Sequence, residues 1–129
     1  GVYRDGGILD YHPSSFSPRD DNGIILYPHF STRLIPGWFD KSNRRRNAHP
    51  EHMKNMLMLV PSPEFVSHLP FGRIPDREDF KTFDGRDKER ISFWEKATEQ
   101  GKSLADDFME SVLSGSIREK VMRLEALPN

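Results

Sequence analysis

The sequence predicts an α/β fold in which a few short buried strands are followed by helices. Two short apolar runs carry the β part. Ile24-Ile25-Leu26-Tyr27 lies between Gly23 and Pro28, and Asn55-Met56-Leu57-Met58-Leu59-Val60 is stopped by Pro61. Continuous apolar runs between breakers are the pattern of strands covered on both faces. The α part rests on a stretch near 86–113 where apolar residues return at three- and four-residue steps, the period of a helix face.

Residues 1–3 read as the tail of a strand running into the Asp5-Gly6-Gly7 turn. Residues 4–23 are turn-rich, with Pro13, Pro18, three serines and Asp20-Asp21-Asn22-Gly23. After the first strand, residues 28–49 read mostly as loop anchored by Phe30, Trp38 and Phe39, with a basic run Arg44-Arg45-Arg46. Pro50 to Lys54 suits one helical turn before the second strand. Ser62 is placed as an N-cap with Pro63 at the first helical position, which predicts a short helix from Pro63 to Leu69. Asp76, after Pro75, predicts a cap for a helix over about 77–83. The long helix carries the stripe Ile91, Trp94, Ala97, Leu104, Ala105, Phe108, Met109 and Val112, expected as core. Gly101 within it marks a kink or a close packing contact, and Ser114-Gly115 ends it. A further short helical pattern covers Ile117 to Leu124.

Composition narrows the function classes. The chain has 129 residues, 35% apolar and 30% charged, with ten prolines, nine glycines and a mean hydropathy of −0.72. The apolar share is low for an isolated domain of this size. The strands also lack enough helices and neighbouring strands to cover them. Both observations, with Gly1 standing inside a strand-to-turn transition, lead us to expect a piece of something larger. A net charge of −1 provides no global field toward nucleic acid or an anionic surface. With no cysteine, disulfides and thiolate metal sites are excluded.

Asp5-Gly6-Gly7 is the leading chemical candidate. Glycines permit positive φ and a tight turn, which would raise Asp5 from a strand end with its carboxylate accessible as a general base. On the tripeptide alone an ordinary Asp-Gly turn is the commoner reading. His49 and His52 are spaced i, i+3, but they lack the further ligands a zinc site needs and read as loop histidines. The arginine run reads as a solvated loop before a nucleic-acid site, with a weak lipid headgroup contact as a further option. Neither Gly-x-Ser-x-Gly on a strand-turn-helix nor a glycine-rich phosphate loop is present.

Several blocks, in order, resemble patatin-like phospholipases, and more closely a bacterial branch of them. They are Tyr3-Arg4-Asp5-Gly6-Gly7-Ile8-Leu9-Asp10-Tyr11-His12, then Ile25-Leu26-Tyr27-Pro28-His29-Phe30, then Ile35-Pro36-Gly37-Trp38-Phe39-Asp40-Lys41. Leu59-Val60-Pro61-Ser62-Pro63-Glu64-Phe65 and Ile74-Pro75-Asp76-Arg77 with Asp79-Phe80 complete the series, which covers the chain to about residue 113. The resemblance implies a three-layer α/β/α catalytic domain of which residues 1–129 are the C-terminal segment. Residues 1–62 then hold the Asp-Gly-Gly turn, strands and loops, and 63–129 are mainly helical. It implies a lipid acyl hydrolase, a phospholipase or esterase, with a Ser-Asp dyad, no cofactor and no metal. Asp5 is the dyad aspartate, and Gly6 and Gly7 shape its turn. Tyr11 and His12 either line the cleft or pack and hydrogen-bond the loop after the turn. Phe30, Trp38 and Phe39 either pack or contribute an acyl-chain or membrane-contacting surface. The serine and oxyanion hole are expected upstream of Gly1, so this segment alone is expected to be inactive. The implied partners are a lipid ester, the upstream part of the same protein and a peripheral membrane contact, with no nucleic acid and a cytoplasmic or membrane-peripheral setting. The alternative from a different class is a non-catalytic module that packs its strands on a partner chain.

Overall fold

The computed structural model describes residues 1–14 and 22–124. Pro18 and Asp20-Asp21, part of the expected turn-rich segment, lie outside them. The chain divides into two compact units, Gly1–Val60 and Pro61–Pro128.

The first unit is built on two four-residue strands, β1 (Ile25–Pro28) and β2 (Met56–Leu59). They pair in parallel, Ile25 opposite Met56 and Pro28 opposite Leu59. Parallel neighbours need a long crossover, which residues 29–55 supply with 3-10 turns at Trp38–Asp40 and Pro50–Met53. Backbone bonds extend the ladder at both ends, from Ile25 N–H to Asn55 O and from His29 N–H to Leu59 O, each 2.8 Å. The expectation of buried strands is corrected. Exposure alternates along β1, with Leu26 46% exposed, and β2 is half-buried throughout. The exposed positions of β1 therefore lack the covering layer that a parallel sheet ordinarily has. Residues 1–3 form no strand, because no neighbour among the described residues pairs with them.

The second unit is helical: α1 (Pro63–His68), α2 (Asp79–Thr82), α3 (Asp87–Ser114) and α4 (Ile117–Lys120). Local chemistry sets several boundaries. Ser62 Oγ accepts from Phe65 N–H at 3.0 Å with Pro63 at the first position. Gly115, at φ 79°, closes α3 in the left-handed region that glycine enters without a Cβ clash. Asp76 does act as a cap, but of an Asx turn: its Oδ1 accepts from Glu78 N–H at 2.7 Å, and α2 starts three residues later than Asp76. Gly101 neither breaks α3 nor makes a close contact; a Cβ there would meet nothing within 4 Å.

The core of this unit departs from the expected stripe. Phe93 is buried, one position off it, while Ile91, Met109 and Val112 are 47%, 52% and 43% exposed. Phe93 meets Phe83 and Phe71, the three rings lying within 6.0 Å of one another. Phe71 takes φ 62° and is followed by Gly72 at φ 61°, an unusual backbone for an aromatic residue that presents its ring to the other two. Asp79 is wholly shielded from solvent. It accepts from the Arg73 guanidinium, from Trp94 Nε1 at 2.9 Å and from Asp76 N–H at 2.9 Å. These side chains cover it directly. Burial pushes its carboxyl upward, and the bonds from Arg73, Trp94 and the Asp76 amide more than reverse that, so its pKa lies below the usual value.

Candidate functional site

Asp5 sits at the N-cap of a 3-10 turn, Gly6–Ile8. Its Oδ1 accepts from Gly7 N–H at 2.7 Å, and the residue is exposed. One carboxylate oxygen is thus fixed by the turn, and among the described residues Oδ2 has no hydrogen-bond partner. The turn is real, but its glycines work differently from the expectation, because neither Gly6 nor Gly7 has positive φ. What Gly7 provides is space: a Cβ there would stand 3.1 Å from Asp5 Oδ1 and 3.6 Å from Tyr11 Cδ2. At Gly6 a Cβ meets nothing within 4 Å, so the second glycine is the one that shapes the carboxylate's surroundings.

The turn is held by the Trp38–Asp40 turn packed beside it. Tyr11 N–H donates to Pro36 O at 2.8 Å and His12 N–H to Ile35 O at 3.1 Å. Gly37 lies at the closest approach, where a Cβ would come within 2.7 Å of the Ile8 carbonyl oxygen. No side chain fits there unless the backbone moves. Gly37 N–H also donates to Asp40 Oδ2 at 3.1 Å, which fixes the start of the neighbouring turn.

Tyr11 is half-buried and packs edge-on against Trp38 with ring centroids 5.5 Å apart. The Lys41 ammonium lies 3.3 Å from the Trp38 centroid and 4.1 Å from that of Tyr11. His12 is 6% exposed, stacked on Tyr11 and edge-on to His29 and Phe30. Its Nδ1 accepts from Ile35 N–H at 3.0 Å, which places the proton of the neutral ring on Nε2.

Burial is the main reason the His12 pKa falls to about 4, and the neighbouring His29 lowers it further; a backbone hydrogen bond at Arg33 pulls the other way. The folded form therefore binds fewer protons than the unfolded chain between pH 4 and the ordinary value of 6.5. Stability of this unit falls as pH drops through that window, because burial and the neighbouring His29 disfavour a charged ring there. We expect the His12 ring to titrate near pH 4 when followed by NMR; a midpoint near 6.5 would refute the buried, hydrogen-bonded role.

Sequence reasoning singled out Asp5, Gly6, Gly7, Tyr11 and His12, and Gly7, Tyr11 and Asp5 do come together. It missed Gly37 and Lys41, whose roles depend on partners far along the chain. It also missed Arg33, whose guanidinium donates to the carbonyls of Asp40, Lys41 and Asn43 at 2.9–3.0 Å. An isolated arginine among Leu34, Ile35 and Pro36 was the one available signal. His49 and His52 lie 5.6 Å apart, and among the described residues no three His, Asp or Glu side chains are grouped to hold a metal. Among those residues no helix is long and apolar enough to cross a membrane. Compared with protein-family models, curated proteins and solved structures, the chain finds no match.

Proposed function

We propose that this chain carries the aspartate of a Ser-Asp lipid acyl hydrolase, with Asp5 as the base and the serine and oxyanion hole on residues outside these 129. The observation that supports this reading is the half-anchored Asp5 carboxylate. One oxygen is fixed by Gly7 N–H at 2.7 Å, and the other has no partner among the described residues in a residue that is exposed. A serine hydroxyl is a weak nucleophile at neutral pH and needs a base within hydrogen-bond reach. A carboxylate with one oxygen oriented and one free meets the geometric half of that need. Its exposure leaves the other half, partial desolvation, to a covering segment that brings the serine.

The test begins with the coding sequence. Upstream of Gly1 it should encode Gly-x-Ser-x-Gly on a strand-turn-helix, and the 129-residue chain alone should not hydrolyse a short-chain p-nitrophenyl ester. A start codon directly before Gly1, or Asp5-dependent turnover by the chain alone, would sink the reading. The exposed strand face, with Ile24 74% and Leu26 46% exposed, favours the second reading, a module that packs on a partner chain. The start codon is the outcome that selects it.

A further inference from the structure

We infer that the loop of residues 37–46 is a docking element for an anionic lipid surface. Its interior polar groups are spent on holding its own shape. Arg33 binds three of its carbonyls, at Asp40, Lys41 and Asn43. Asp40 accepts from Gly37 N–H and pairs with Arg46 Nε at 3.5 Å. Asn43 N–H donates to Asp40 O and Arg46 N–H to Asn43 O, at 3.0 and 3.1 Å.

Besides the polar Ser42 and Asn43, the exposed residues of this loop are aromatic or basic. Phe39 is 78% and Trp38 43% exposed. Arg44, Arg45 and Arg46 are all exposed. The Arg46–Asp40 pair ties the end of the basic run to the residue that follows Phe39. Residues 37–46 carry Lys41 and three arginines against Asp40 alone, a net charge of +3 in a chain of −1. Apolar rings beside arginines, on a segment that pays little ordering entropy to bind, match the headgroup region of an anionic bilayer. A single-stranded nucleic acid fits less well, because it needs free ring faces for base stacking. Here the Lys41 ammonium already lies over one face of Trp38, 3.3 Å from its centroid, and Phe39 is the more open ring of the loop.

Vesicles of non-hydrolysable ether lipids separate docking from catalysis. The chain should co-sediment with phosphatidylglycerol-type vesicles and at least about ten-fold less with neutral phosphocholine vesicles. The Arg44→Gln/Arg45→Gln variant, chosen because neither side chain holds the loop, should bind roughly 30-fold more weakly. Phe39→Ser should weaken binding about five-fold. Asp5→Asn should bind as the parent does, so docking is read independently of the residue proposed as the base. The parent chain also gives a variant-free readout, since salt raised from about 0.1 to 1 M should release it. Three outcomes overturn the inference: equal binding to neutral and anionic vesicles, salt-insensitive binding, or arginine-dependent binding to RNA or DNA without binding to vesicles.

Discussion

Replacing Arg73 with methionine should cost the helical unit about 3 kcal/mol or more, the size found when one partner of a buried ion pair is removed. The reason lies in the partner left behind. Arg73 is partly open to solvent, whereas Asp79 has no exposed surface. Without the guanidinium, among the described residues the carboxylate keeps only the Trp94 and Asp76 N–H groups and is left buried without a countercharge. The double variant Arg73→Met/Asp79→Leu should recover much of the loss, because the penalty belongs to the orphaned charge. Urea unfolding followed by helical circular dichroism would measure both. A single variant within about 0.5 kcal/mol of the parent would show that the pair is not holding the unit. Acid should act in the same direction as the single variant. The Asp79 pKa is lowered on folding, so its contribution is present above the unfolded carboxyl value and is lost as pH falls through the folded one.

The second large effect follows from the proposed hydrolase reading. In the product of the complete reading frame, Asp5→Asn should lower ester hydrolysis by about 10²- to 10⁴-fold, the range for loss of a positioned general base. Asparagine keeps the acceptor for Gly7 N–H, so the turn should persist, and it cannot take the proton from a serine. Little change in melting temperature with collapsed kcat would therefore separate the base from a mere turn cap. Asp5→Ser supplies a contrast, since a serine at an N-cap can still accept from the turn but offers no base. If both variants keep near-parental rates, Asp5 only caps its turn.

Much of the secondary structure was legible because its causes are local. Ser62-Pro63 starts α1, Gly115 ends α3, and the apolar run before Pro61 forms β2 with the expected boundaries nearly kept. What escaped depends on partners distant in sequence. Phe93 and Trp94 are adjacent in α3, and nothing local tells which is buried; Phe71, edge-on, and Phe83, tilted, decide it by packing against Phe93. Asp79 reads as a polar residue of a short helix until Arg73 and, fifteen residues on, Trp94 close over it. At the candidate site the Asp-Gly-Gly turn was visible in the sequence. Its steric basis was not, because the close approaches involve Tyr11 and the pairing of Gly37 with Ile8, apposed only by the fold.

The register of the two strands makes the edges of the small sheet unequal. Because Ile25 and His29 donate toward β2, alternation along the ladder turns Leu26 and Pro28 away from it, and likewise turns Met56 and Met58 away from β1. Proline has no N–H to give, so the outer edge of β1 offers the single donor of Leu26, while β2 offers two in sequence. A strand joining this sheet would find a regular ladder beside β2 and an interrupted one beside β1, and the sheet therefore has one direction in which to grow.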